Sequence, residues 1–210
     1  MMHPHTRLGF VNETIGYGVF ATQFIPKGTI LWVLDDLDQK LDRAYIDSLT
    51  ETLQERVRTY SFRDTAFLNG EGKYILGWDI SLFVNHSCQS ICAPTPYEFV
   101  LASKDVQPGE EITDDYRWFD VDYSFEYLLE DGTTRKVRAV DIFDCYQDLE
   151  RKAEEAIQNL NRVEQPLKSL VKNKYLDKLN AIAEGKEPMD SLIECYRKNS
   201  RKFSWQSSSV

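Results

Sequence analysis

Basic charge is scarce in this 210-residue chain: 25 Lys and Arg stand against 34 Asp and Glu, a formal net charge of −9. That balance excludes a general nucleic-acid binder, which presents a basic face, and favours a neutral or basic partner. Long apolar runs are missing: nothing approaches the ~18 residues of a membrane span. The stretch Met1–Phe10 has no apolar segment of the kind that makes a signal peptide. Cys88, Cys92, Cys145 and Cys195 form no Cys-x-x-Cys pair, so no disulfide framework is indicated. They read as reduced thiols of a cytoplasmic protein, with the nucleus or a host cell as alternatives. Histidine is limited to His3, His5 and His86, and no internal repeat is visible.

Large apolar side chains are plentiful: 4 Trp, 11 Tyr and 11 Phe argue against a disordered chain. The length suits one domain, or one domain with an appendage, and a sizeable core. The acid is uneven. Residues 1–140 hold 22 acids and 13 bases, whereas residues 141–210 hold 12 of each. It reads either as a solvated acidic face or as a groove that attracts a cationic substrate.

Turn residues and β-prone runs alternate at first, as in Gly18–Phe24 and Thr29–Leu34. Leu41, Tyr45, Ile46, Leu49, Leu53 and Val57 then recur at helical spacing, which predicts an inserted helix over 38–60. Strand signals return from Phe67 to Val84 and at Tyr97–Ser103. Phe125–Leu129 and Arg135–Val140, around Asp131-Gly132, read as a hairpin. From Ile142 to Leu160 apolar residues step by three and four along a helix face. Pro166 is placed to open a second helix carrying Leu167, Leu170, Val171, Leu179 and Ile182, and Gly185 to close it. Pro188 opens a third with Leu192, Ile193 and Tyr196. The chain divides into a β-rich unit over 1–140, a helical region over 141–199 and a flexible tail over 200–210.

Three segments carry chemistry. Gly16-Tyr17-Gly18, followed by Lys27-Gly28, lets backbone approach a ligand closely; an ordinary turn is the bland alternative. Asn85-His86-Ser87-Cys88 packs donors and acceptors into little space. A Cys-His or Ser-His catalytic set, or a zinc site from His86, Cys88 and Cys92 without a clear fourth ligand, are its other readings. Pro108-Gly109-Glu110-Glu111-Ile112-Thr113-Asp114-Asp115-Tyr116 is a turn, a strand and a polar corner ending in tyrosine.

In this order the three segments resemble the SET-domain protein lysine methyltransferases, over residues 7–120. The resemblance implies an α+β, mainly β fold: a β-clip of small sheets whose last two motifs cross in a pseudoknot. It implies S-adenosylmethionine as cofactor, with Gly16, Tyr17 and Gly18 at its methionine end. Asn85 and His86 match positions that touch its amino group and adenine, Phe83 lies beside it, and Trp118 is placed to cover the adenine. Tyr116 matches the catalytic tyrosine. Tyr60 and Tyr74 are further candidates for the lysine channel, with core packing as the alternative for both. Asp114 stands where many relatives carry Phe or Tyr; it orients water, pairs with a basic substrate, or points to solvent.

The cysteine-rich tail that binds zinc in many relatives is absent, so no metal is expected. Arg117–Val140 and the helices after Asp141 are expected to supply the missing channel wall. Asp114, Asp115, Asp120 and Asp122 cluster around Tyr116, giving the acidic charge a role in attracting a lysine-rich, histone-like substrate. The expected function is methyl transfer to a protein lysine. The alternatives are a non-catalytic binding module on the same fold, or methylation of a small amine. Nucleic acid and membrane are not expected partners. The apolar stripe of the C-terminal helices packs on its own domain or makes a homodimer.

Overall fold

The computed structural model describes residues 1–120, 125–128, 134–138 and 141–200. The chain runs through β1 (Thr6–Asn12), β2 (Gly16–Ala21), β3 (Ile30–Val33) and β4 (Gln39–Leu41), then α1 (Arg43–Asp47), α2 (Glu51–Tyr60) and β5 (Ser61–Arg63). It continues with β6 (Tyr74–Leu76), β7 (Asn85–His86), β8 (Cys92–Pro94), β9 (Phe99–Ala102) and β10 (Glu111–Asp114). Next come β11 (Phe125–Leu128) and β12 (Thr134–Val137), then α3 (Ile142–Ile157), α4 (Asn173–Ala183) and α5 (Leu192–Ser200). The class is α+β, as expected, built from small sheets ordered β1-β2-β10-β7, β3-β9-β8, β4-β6-β5 and β11-β12.

The sheet β3-β9-β8 is the centre of the molecule, buried on both faces. Leu31, Trp32, Val100 and Ala102 face one core, and Ile30, Val33, Phe99 and Leu101 face the other. Side chains alternate between faces along β9, so a short, continuously apolar run fills two cores at once; on β3 a register shift between Ile30 and Trp32 puts the neighbours Leu31 and Trp32 in the same core. The amphipathic face of α3 spans both: Cys145 and Leu149 enter the first core, Ala153 and Ala156 the second. The stripe expected to pack on its own domain or to form a dimer is therefore buried against β8 and β9.

Gly28 fixes this docking. Its φ is +88°, and a Cβ there would lie 2.6 Å from the Ala156 carbonyl oxygen. Gln165 completes the seam: its Nε2 donates to the carbonyls of Gly28 (2.8 Å) and Leu160 (3.0 Å), and its Oε1 accepts from Ile30 N–H (2.9 Å). Lys27-Gly28 thus joins the helical region to the β unit. Asn199, with no exposed surface, ties α5 to the loop before β6 by donating to the carbonyls of Thr65 (2.9 Å) and Phe67 (2.8 Å).

Several expected elements differ. The single insert helix over 38–60 is β4, α1 and α2. Ser48 breaks it: its N–H and hydroxyl both bond the Tyr45 carbonyl, and Gln54 Nε2 takes the Leu49 carbonyl at 2.9 Å. Local side-chain bonds of this kind compete with the helix ladder. Between Phe67 and Val84 only Tyr74–Leu76 pairs as a strand, and Ile80–Phe83 is a 3₁₀ turn started by Asp79, which accepts from Ser81 N–H.

Pro166 does not start α4; a 3₁₀ turn at Lys168–Leu170 intervenes. Gly185 does close α4, in a Schellman arrangement with Lys186 N–H on Ala181 and Gly185 N–H on Ile182. The hairpin arms pair from Phe125↔Val137 to Leu128↔Thr134, and its turn Asp131-Gly132 lies outside the described residues. Ser200 is the last residue of α5, and the rest of the expected tail, 201–210, lies outside them too. No described helix is long and apolar enough to cross a membrane.

Candidate active site

The site forms where β10 meets its two neighbours. On one side β10 pairs antiparallel with β2, Glu111↔Phe20 and Ile112↔Val19. On the other it pairs parallel with β7, Thr113↔Asn85 and Asp114↔His86. Segments far apart in the chain are thereby brought side by side: the Gly16–Gly18 strand, Asn85-His86 and the corner at Tyr116.

Tyr116 opens a 3₁₀ turn, Tyr116–Trp118, that Asp115 caps by accepting from Arg117 N–H at 3.2 Å. Arg117 also clamps Asp115 through its guanidinium, Nε to Oδ1 at 2.8 Å. The Tyr116 backbone N–H donates to His86 Nδ1 at 3.0 Å, and its hydroxyl donates to the Val84 carbonyl at 2.6 Å. Both ends of the residue are pinned, and its ring stacks on Phe119 at 5.2 Å. Burial raises the phenol well above its ordinary pKa, and the charge of Asp114 adds to this. Tyr116 is therefore a neutral phenol across the physiological range.

His86 accepts at Nδ1, so its neutral ring carries the proton on Nε2. That nitrogen faces Cys88 Sγ at 3.6 Å. A donor pointing at a thiol is the reverse of what Cys–His nucleophile activation requires. Cys92 is buried in the core beside β9. Among the described residues no three metal-binding side chains come together.

Beneath Tyr116 lies a cavity of about 320 Å³. Phe62, Val84, Trp118, Phe119, Tyr60 and Asp114 line it with Tyr116. Phe62 stacks on Phe119 at 4.8 Å, which makes one wall aromatic. Asp114 is 5% exposed, so it does not point to bulk solvent. Its Oδ1 accepts from Trp118 Nε1 (3.1 Å) and Asp115 N–H (2.7 Å). Burial raises its pKa to about 7 against those bonds, and the charge of Asp115 reinforces the rise.

The second face of the site is polar and open. Asn85 Nδ2 donates to the Tyr17 carbonyl (3.0 Å) and to Glu111 Oε1 (2.7 Å). Gly18 permits this contact: a Cβ there would lie 2.3 Å from Glu111 Oε1 and 2.9 Å from Asn85 Nδ2. Gly16 has φ +84° and open space where a Cβ would stand. Tyr17 is exposed and meets Phe83 edge-on at 6.5 Å; Phe83 meets Tyr60 at 6.2 Å. An aromatic row thus runs from the glycine strand to the cavity.

Residues 16–117 match the family model of the SET domain. This chain carries a SET domain. No curated protein matches the chain. The residues present fit the family's cofactor. The open backbone at Gly16, the Asn85 and Glu111 polar groups and the half-buried Phe83 ring suit a ligand with a cationic amino-acid end and an aromatic base.

Other expectations need correction. Trp118 is 2% exposed and bonded to Asp114, packed against Phe62 and Phe67; it forms a cavity wall and leaves no free face for an adenine. Tyr74 lies away from the cavity, between Arg43, whose Nη1 reaches its hydroxyl at 3.5 Å, and Arg63, over its ring at 5.9 Å. It belongs with Ile46 and Val57 to a small separate core. Tyr60, by contrast, lines the cavity.

The acids around Tyr116 are not a surface field. Asp115 (1% exposed) pairs with Arg117, and Asp120 (3%) takes Arg63 at 2.8 Å and the Thr65 hydroxyl at 2.8 Å. Asp122 lies outside the described residues. Of the expected wall, Trp118 and Phe119 contribute, but no described residue after 141 lines the cavity; the helices pack behind it. Phe62, Phe119 and Glu111 were not singled out from sequence. The apolar Phe62 between polar Ser61 and Arg63 was the available signal for one of them.

Proposed function

We propose that this chain is an S-adenosylmethionine-dependent methyltransferase that acts on the side-chain amine of a protein lysine. The observation that carries this reading is Tyr116. It is held at both ends on the floor between an open, polar glycine–asparagine face and an apolar cavity. S-adenosylmethionine, when bound, supplies an activated methyl group, so the protein is left with binding, alignment and control of a proton.

The apolar cavity suits the four-carbon stem of a lysine. Free lysine has a pKa of about 10.4, and an amine must be neutral to act as a nucleophile. Phe62, Phe119 and Trp118 remove water from the amine, which disfavours its charged form. The Tyr116 hydroxyl oxygen, whose proton is engaged by Val84, presents a lone pair toward positive charge. Alignment of this kind lowers a barrier by roughly 7–11 kcal/mol in favourable cases.

The test has two parts. Calorimetry is expected to show one S-adenosylmethionine bound per chain, weakened by Gly18→Val, which drives a side chain into Asn85 and Glu111. A peptide array with labelled cofactor is expected to label Lys peptides and leave matched Arg peptides unlabelled. Tight cofactor binding with no labelled peptide would favour a non-catalytic module; labelling of free amines alone would favour a small-molecule substrate.

A further inference from the structure

The cavity beneath Tyr116 has two charged residues in its described lining, exposed Arg58 and buried Asp114. Asp114 is held rigidly by one oxygen. Trp118 Nε1 and Asp115 N–H both donate to Oδ1, and no hydrogen bond of the described residues ends on Oδ2. Asp114 lines a cavity whose walls are mainly apolar and aromatic. At about 320 Å³, the cavity stands at the small end of the ~300–1,000 Å³ typical of ligand sites. A mainly apolar cavity with a carboxyl side chain in its wall is the complement of an alkyl chain ending in an ammonium group.

We propose that Asp114 is the anchor and proton acceptor for the amine of the methyl acceptor. Oδ2 first pairs with the incoming ammonium and then takes one of its protons, which leaves the nitrogen with its lone pair and the carboxyl neutral. The inference rests on the methyltransferase reading in one respect, that the acceptor enters by this cavity. It goes beyond that reading by assigning a residue and a chemical step.

The surroundings of Asp114 favour such a role. Its pKa of about 7 allows both states near neutrality, which is the condition for an effective base. The titratable and charged groups about it are Asp115 and Tyr116 on its own segment, His86 on β7, Cys92 on β8, Lys152 on α3, and Arg58 at the cavity. Tyr116 is neutral there, and burial likewise raises the Cys92 thiol well above its ordinary value. Lys152 favours the ionised carboxylate, and Asp115 opposes it.

n-Butylamine, a lysine side chain without its backbone, is the probe. It is titrated calorimetrically into the wild-type chain at pH 8 and pH 6 and into Asp114→Asn at pH 8, with n-butanol as the uncharged control. Wild type is expected to bind it about tenfold more tightly at pH 8 than at pH 6, because the cavity anion is lost as pH falls through about 7. Asp114→Asn is expected to bind it at least tenfold more weakly, to keep its affinity for n-butanol, and to lower kcat/KM for methyl transfer about 100-fold. Equal n-butylamine affinity in wild type and Asp114→Asn would overturn the proposal. The methyltransferase reading would still stand if Tyr116→Phe lowered methyl transfer. Amine binding that depends on Asp114, with no amine methylated, would separate the two the other way. Should Asp114→Asn not fold, the wild-type comparison of pH 6 with pH 8 against n-butanol decides alone.

Discussion

Two neighbouring side chains, Tyr116 and Asp114, carry opposite burdens in one cavity. Tyr116 is satisfied: its hydroxyl proton rests on Val84. Phenylalanine there leaves that carbonyl short of a donor, at a cost of about 1–3 kcal/mol, so activity of the variant must be compared with its stability. Asp114 is strained by burial. Its folded pKa, about 7, lies above its ordinary value of 3.8, so the folded chain holds a proton that the unfolded chain has lost between those values. Stability from this group is therefore present below about pH 4 and is lost as pH rises through about 7. Asp114→Asn keeps the acceptor for Trp118 and removes the charge. Thermal melts are expected to show the variant more stable than wild type at pH 8, with the difference vanishing toward pH 4. A variant less stable at both pH values would show that the carboxylate is compensated in the fold. A residue that weakens the fold and serves a ligand is the usual form of a stability–activity trade-off.

At the scale of elements, Gly28 and Asn199 have the sharpest consequences. Gly28→Ala places a Cβ against backbone of α3 at a positive φ. It is expected to destabilise by about 2–3 kcal/mol, a fall in Tm of about 4–12 °C, without changing cofactor affinity at Gly16–Gly18. Asn199→Ala takes the side-chain donor from the Thr65 carbonyl and leaves the Phe67 carbonyl with Gly70 N–H alone, and is expected to cost about 1–3 kcal/mol in chemical denaturation.

Neither role was legible in the sequence. Gly28 was read as part of a ligand-binding motif, and its partner Ala156 lies more than a hundred residues away. Asn199 sat unnoticed at the end of a predicted helix. The strands around Val19, Trp32 and Val100 and the face of α3 were legible, because periodicity is local. So was the set Gly16–Gly18, Asn85-His86 and Tyr116, which the pairing of β10 with β2 and β7 brings together. What was illegible depended on tertiary choice: which way Trp118 turns, which core takes Tyr74, and which acids find a buried arginine.

For the molecule as a whole, the negative charge is partly internal. Asp114, Asp115, Asp120, Asp64 and Asp141 are all buried, so the sequence-wide charge overstates the acidic surface a substrate meets. The two cores run through β3-β9-β8 into α3 and α4. Residues 1–140 alone would expose one face of that sheet, and such a fragment is expected to lack a cooperative thermal transition and near-UV circular dichroism. A fragment with native-like melting would mean that the helices are dispensable.

The central claim, that Tyr116 and its cavity methylate lysine, is tested most directly by single-turnover transfer from saturating labelled S-adenosylmethionine to a lysine peptide. Wild type is compared with Tyr116→Phe at equal folded fraction. Wild type is expected to form methyl-lysine and the variant to do so at a rate at least about 100-fold lower, with cofactor affinity unchanged. Equal rates in the two proteins would contradict it, as would cofactor bound by wild type with no methyl-lysine formed.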